Sequence, residues 1–206
     1  MHIKGDNNSP KITLMEGFQD HDRDEIARMY WSAFGSKLGA VLSPTDKALV
    51  MLQEALDPRF ALVARSHDGK VLGVAGYKTH GGSFVAITFD RLKRSFGNAG
   101  AIWRGLVLSF LVRKLDAGTL LMDGIVVAER ARGQGVGTLL LTAIKRKARE
   151  LGCSLVRLDV IDTNPRARQL YEREGFQAAA NLNVGPLRHL FGFRSATSML
   201  AKSSES

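Results

Sequence analysis

Six residues, Arg132-Gly133-Gln134-Gly135-Val136-Gly137, have the make-up of an anion cradle. Three glycines in five positions let the backbone turn sharply and present successive N–H groups with no Cβ in the way. The residues that follow, Val136–Leu151, read as a helix. Its first amides lack partners within the helix and carry partial positive charge, and Arg132 adds a full one. Such a turn suits a phosphate or pyrophosphate. A Walker A loop is excluded, because Gly137 is followed by Thr138-Leu139 rather than Lys-Ser/Thr. A dinucleotide fingerprint is excluded too, since the spacing is Gly-x-Gly-x-Gly and not Gly-x-Gly-x-x-Gly.

The elements that must hold this turn follow from periodicity. Ile12–Phe18 reads as a strand and Asp22–Leu38 as a helix, with Ile26, Met29, Tyr30 and Ala33 at helical spacing. Ser43 as N-cap and Pro44 in the first turn predict a second helix to about Leu56. Phe60–Arg65 and Lys70–Thr79 predict two strands joined at His67-Asp68-Gly69, a hairpin signal. Ser83–Phe89 reads as a strand or as an extension of the one before. Ala101–Val112 reads as a buried helix of the core or a dimer interface, with a surface that touches substrate or membrane as the alternative. Basic clusters flank it, Arg91/Lys93/Arg94 and Arg113/Lys114.

From residue 119 the pattern sharpens. Thr119–Glu129 predicts a strand, and Gly152 caps the helix that leaves the glycine turn. Leu155–Ile161 predicts the next strand. Strand, helix and strand of this length imply two parallel neighbours with a right-handed crossover. Asn164 then caps a short helix with Pro165 at its first position, ending at Gly175-Phe176. Strands near Phe176–Ala180 and Phe193–Ala201 complete the chain.

Arg132-x-x-Gly135-x-Gly137 and, 27 residues after Gly137, Asn164-x-x-Ala167-x-x-Leu170-Tyr171-x-x-x-Gly175-Phe176 together resemble the GNAT superfamily of acyl-CoA-dependent N-acyltransferases. The resemblance is close over Thr119–Phe176. The earlier order of strand, two helices and hairpin also fits, whereas Gly81–Gly118 matches nothing in the pattern. It implies one domain over residues 1–206, of α/β (α+β) class: a central, mostly antiparallel sheet with a splayed parallel strand pair, flanked by helices. Acetyl-CoA would lie in the splay as acyl donor. Ile125, Val126 and Val127 would pair with its pantetheine arm through their backbone. Amides from Arg132 to Thr138 would hold the pyrophosphate, so Gly133, Gln134, Gly135, Val136 and Gly137 all join the expected site. Asn164 and Ala167 would meet the arm, and Tyr171 would aim its hydroxyl at the thioester sulfur.

Acyl transfer needs a neutral amine. A lysine-type amine of pKa about 10.4 costs roughly 4–5 kcal/mol to deprotonate at pH 7, an α-amino group near 8 only about 1–1.5 kcal/mol. The site therefore needs a proton sink, a water chain or a desolvating pocket. Asp123 is the candidate sink, placed by a period of two on the face of Ile125 and Val127. The alternative is a carboxylate satisfied by backbone donors or a nearby arginine. Tyr171 could instead be core, Asn164 a plain N-cap, and Gly135 and Gly137 ordinary turn glycines. Tyr30, Trp31 and Phe34 cluster on the first helix as core, in the region that usually walls the acceptor site in the family. His80 and His189 read as solvated.

Composition narrows the partners. The net charge of +9 would favour anions, yet no zinc-finger spacing, ribonucleoprotein signature or helix-turn-helix accompanies it, so nucleic acid is not expected. The single cysteine, Cys153, reads as structural and fits a reducing compartment. No apolar run has the about 20 residues that cross a bilayer, and the start of the chain lacks a signal pattern. The expectation is a cytoplasmic enzyme without metal, acting on a small-molecule amine or a protein N-terminus, with a homodimer possible. A non-catalytic CoA-binding sensor and a basic nucleic-acid-associated protein are the alternatives.

Overall fold

Strands of largely buried apolar residues build the frame. In the computed structural model, which describes residues 12–109, 114–185 and 188–204, eight strands form one sheet. They are β1 (Thr13–Glu16), β2 (Ala61–Arg65), β3 (Val71–Thr79), β4 (Gly82–Ser83), β5 (Thr119–Val127), β6 (Leu155–Ile161), β7 (Gln177–Asn183) and β8 (Ser195–Lys202). Their order is β1-β2-β3-β5-β6-β8-β7, with β4 paired to β3. Every pairing is antiparallel except β5 with β6. This is the mixed, mostly antiparallel sheet that the resemblance implied. The Asp68-Gly69 hairpin forms, with Gly69 at a φ of 82°.

Helices α1 (Arg23–Leu42) and α2 (Thr45–Ala55) cover one face, and α4 (Val136–Glu150) the other. Two glycines of β3 set these contacts by the space they leave. A Cβ on Gly73 would lie 3.0 Å from Leu140 and Val136 of α4, and one on Gly76 would lie 2.1 Å from the Phe84 ring. Residues 73 and 76 differ by an odd number, so α4 and Phe84 sit on opposite faces. Leu140, Ile144 and Ala148 of α4 are fully buried, as its stripe required. At the entry to α1, Asp22 is buried and paired with Arg65 of β2, Nη1 donating at 3.0 Å. Arg65 also donates to the Gly69 carbonyl at 2.8 Å, tying helix, strand and hairpin together.

Three expectations change. Pro44, not Ser43, is the N-cap of α2, because its extended backbone (ψ 158°) precedes the first helical residue, Thr45. Only Gly82–Ser83 of the region after β3 is a strand; Val85 makes an isolated bridge to Leu56. The helix expected over Ala101–Val112 belongs to a longer α3 (Phe89–Ser109), broken at Gly97 (φ 72°, ψ 175°), and residues 110–113 lie outside those described. Nor is it buried throughout. Ala101 and Leu92 face inward, while Ile102, Trp103 and Leu106 are 63%, 40% and 65% exposed. α3 packs on α2 and α1, sharing a second apolar cluster with Val41, Leu42 and Met51. Among the described residues the further α-helices are α5 (Pro165–Arg173), on the α4 side, and α6 (Arg188–Phe191).

Candidate active site

The glycine turn takes the shape its composition demands. Gly133 and Gly135 both have left-handed φ, 77° and 78°, and Gly135 is the N-cap of α4. Leu139 is the first amide to donate back, to the Gly135 carbonyl at 3.0 Å. The N–H groups of Val136, Gly137 and Thr138 therefore precede any acceptor within the helix. Arg132, Gly133, Gln134, Gly135 and Thr138 are exposed. Gln134 turns its side chain back to donate to the Arg130 carbonyl at 2.9 Å, leaving the backbone as the turn's outward polar face. The Val136 side chain is buried under β3 and contributes only its amide to this end.

Beside the turn the sheet opens. β5 and β6 are paired only at Thr119–Leu155, Leu120–Val156 and Leu121–Arg157. Beyond that, Leu121–Val127 on one side and Leu158–Ile161 on the other line a cleft of about 1250 Å³. Into it the structure brings Asp123, Ile125, Val126, Val127, Arg132, Gly137, Asn164, Ala167 and Tyr171 of the expected residues. Gly133, Gln134, Gly135, Val136 and Thr138 are not part of its lining and form the rim and root of the turn. The register of β5 decides which backbone groups face the opening. Ala128 donates to Leu72 of β3 at 2.8 Å. By alternation Val126 also spends its N–H and C=O on β3, whereas Ile125 and Val127 turn theirs toward the side vacated by β6. Of the three residues expected to offer backbone, two do so, and Val126 offers its side chain.

Asp123 departs from the expected face. The ladder of β5 with β3 slips between Gly76 and Tyr77, pairing Gly76 with Gly124 and Tyr77 with Met122, so Asp123 is the extra residue of a β-bulge. The bulge breaks the period of two and turns Asp123 to the α1 side, away from Ile125 and Val127. There its Oδ2 accepts from the Val85 amide at 3.0 Å, and its carbonyl lies 3.4 Å from the Tyr30 hydroxyl, which donates to it. Burial pushes the carboxyl's pKa above the ordinary carboxylate range, and the Val85 N–H and the charge of Lys78 only partly offset this. Burial, reinforced by the Asp123 charge, likewise raises Tyr30.

Tyr171 is buried on α5, its ring 6.0 Å from that of Phe176. Burial pushes its phenol up to about 12, so it holds its proton at neutral pH. Asn164 is the N-cap that the sequence implied: its Oδ1 accepts from the Ala167 amide at 3.2 Å, while the Nδ2 donors take no part in the cap. A Cβ on Gly137 would meet Leu170 at 3.0 Å, so this glycine lets α5 approach α4 and bring Tyr171 to the cleft. Cys153, His80 and His189 do not line the cleft. Lys78 and Arg166 do and were not among the expected residues, and so does Leu108 of the helix for which a substrate-touching surface was the alternative. A lysine following the apolar run of β3 was the one available signal.

The structure thus joins a long cleft between splayed parallel strands to helix amides at one end and a buried phenol inside. The sequence profile of the Acetyltransferase (GNAT) family matches residues 23–176. The chain belongs to that family. It is 39% identical over 56 residues to the thialysine N-epsilon-acetyltransferase of Bos taurus, covering 27% of this chain and 33% of the bovine protein. It is 38% identical over 77 residues to an acetyltransferase of Agrobacterium fabrum, covering 37% and 53%. The chain thus spans from a third to about half the length of these curated relatives. An N-acetyltransferase of Staphylococcus aureus superposes with a TM-score of 0.63 at 15% identity, over 92% of this chain and all of that one. The SpeG spermidine N-acetyltransferase of Vibrio cholerae, in a variant form, gives 0.59 at 14% identity, over 94% of each. At such identities these structures show the shared fold.

Proposed function

We propose that this protein transfers an acetyl group from acetyl-CoA to a primary amine by direct attack, with both substrates bound together. The observation that carries this reading is the convergence of Asp123, Tyr171 and the α4 N-terminus on one cleft. Family membership supports the acetyl donor. The residues present fit it: the amides of Gly133–Thr138 and the Arg132 charge suit the pyrophosphate, and the outward backbone of Ile125 and Val127 suits the amide arm. Bound there, acetyl-CoA supplies a thioester whose C–S bond breaks as the N–C bond forms.

Each residue then has a task at a stated atom. The Asp123 carboxylate takes the proton of the incoming ammonium, through a water because the aspartate is short and already held by Val85. Its raised pKa brings it nearer the amine's own, which makes it the better base. The Tyr171 O–H gives its proton to the departing sulfur, and the second proton, shed by the nitrogen as it becomes an amide, restores the phenol. An N–H of Ile125 or Val127 meets the developing oxyanion. Direct attack is favoured over a covalent enzyme intermediate because Cys153 lies away from the cleft.

The test is thiol release from acetyl-CoA across a panel of amines, paired with mass analysis of the amine product. Equal amounts of free thiol and acetylated amine, both dependent on the amine, are expected. Acetyl-CoA binding with no thiol release for any amine would instead identify a sensor.

A further inference from the structure

Residues between 83 and 109 build one wall of the cleft. Register places it. Lys78 pairs with both Ser83 and Leu121, while Val127 pairs with Gly73 near the glycine turn. Six residues of strand at about 3.3 Å each separate these ends by roughly 20 Å. Asp123 lies between these ends, and the α1 side of the sheet, opposite α4, is where an acceptor would enter. There Phe34 and Leu38 of α1 join Ile87, Phe89 and Leu108 of the α3 segment in lining the cleft. Phe89 is 52% exposed. This side of the cleft is thus an apolar wall open to a ligand.

Its charges are few and do not suit a polycation. The described lining holds two carboxylates, Asp123 and Asp159, against three cationic side chains, Lys78, Arg132 and Arg166. Asp123 is bound by the Val85 amide, and Asp159 sits 3.8 Å from Arg157. Spermidine or a lysine-like diamine would bring two or more charges to a surface offering one carboxylate beside Lys78.

We infer that the acceptor is a monoamine carrying a bulky apolar group, an arylalkyl- or alkylamine, seated between α1 and α3 with its nitrogen at Asp123. This rests on the acyltransferase reading for the chemistry but not for the binding. The experiment is calorimetric titration of 2-phenylethylamine and of spermidine into the full chain, with and without saturating CoA. The expected result is affinity for 2-phenylethylamine at least tenfold above that for spermidine. Phe89→Ser, at an exposed position that leaves the fold intact, and Leu108→Asp should each weaken it at least fivefold, with acetyl-CoA affinity unchanged. Spermidine binding as tightly, neither amine binding, or both variants behaving as wild type would overturn the inference. Loss of acetyl-CoA binding with the amine preference intact would instead overturn the acetyl-transfer reading and leave this site standing.

Discussion

Replacing Gly135 by Ala separates conformational strain from chemistry, because the structure contains its own control. Gly135 (φ 78°) caps the start of α4, and Gly152 (φ 70°) follows its end, donating to the Arg149 carbonyl at 2.9 Å. At either position an added Cβ would meet nothing within 4 Å. Neither substitution creates a clash, so each carries only the left-handed penalty, about 1–2 kcal/mol. For a chain of this size that is a drop in Tm of roughly 2–8 °C. The two variants should melt alike by differential scanning fluorimetry. They should diverge in acetyl-CoA titration. At Gly135 the turn escapes strain by rotating the amides of residues 133–138, and 1–2 kcal/mol of misalignment is a roughly 5–30-fold loss of affinity. Gly152→Ala should bind acetyl-CoA like wild type. Equal affinity in the two variants, whichever way they moved together, would show that the Gly135 turn does not hold the ligand.

Tyr171→Phe keeps the ring on Phe176 and removes only the O–H. It should lower kcat about 100-fold while acetyl-CoA affinity stays within about threefold, and unchanged turnover would remove the tyrosine from the reaction. Asp123→Asn tests the buried carboxyl through stability. Because its folded pKa is raised, the native state holds the proton where the unfolded state has lost it, so wild-type stability falls as pH rises from the ordinary carboxylate value to the folded one. The Tm of Asp123→Asn minus that of wild type should therefore grow as pH rises above about 4; a constant difference would show a solvated carboxylate. Asp22→Asn has the opposite sign. The hydrogen bond from Arg65 holds Asp22 below its ordinary range, so its contribution is full above about pH 4 and is lost as pH falls through the folded value. Breaking this buried pair should cost about 3–5 kcal/mol at pH 7 by urea denaturation, and a deficit that persists undiminished in acid would argue against the ion pair.

What the sequence made legible was local. The glycine turn, the Asn164-Pro165 cap and the α4 stripe each involve residues within one or two helical turns of each other, and all three stand where their spacing put them. The bulge at Asp123 was not local, since it arises where two strands far apart in sequence slip by one residue. Gly76 and Gly124, glycines inside two neighbouring strands, were its trace, but only pairing reveals that they sit opposite each other and make room for Phe84, Tyr30 and Phe34. The α3 segment was illegible for a different reason. Its apolar residues fall on two faces, so Ala101–Val112 looked buried, whereas the outer face holds Ile102 and Leu106 and the inner face serves the cleft. Composition cannot assign a helix to core or wall when its partner is a cavity.

On the proposed function, the amides opening α4 hold a diphosphate. Calorimetric titration of acetyl-CoA against acetylpantetheine, which keeps the thioester and the amide arm but lacks the diphosphate and nucleotide, tests it most directly. Acetyl-CoA should bind at least 100-fold tighter, with the advantage cut in Gly135→Ala and retained in Gly152→Ala. Equal affinity for the two thioesters, or an advantage that Gly135→Ala leaves intact, would contradict it.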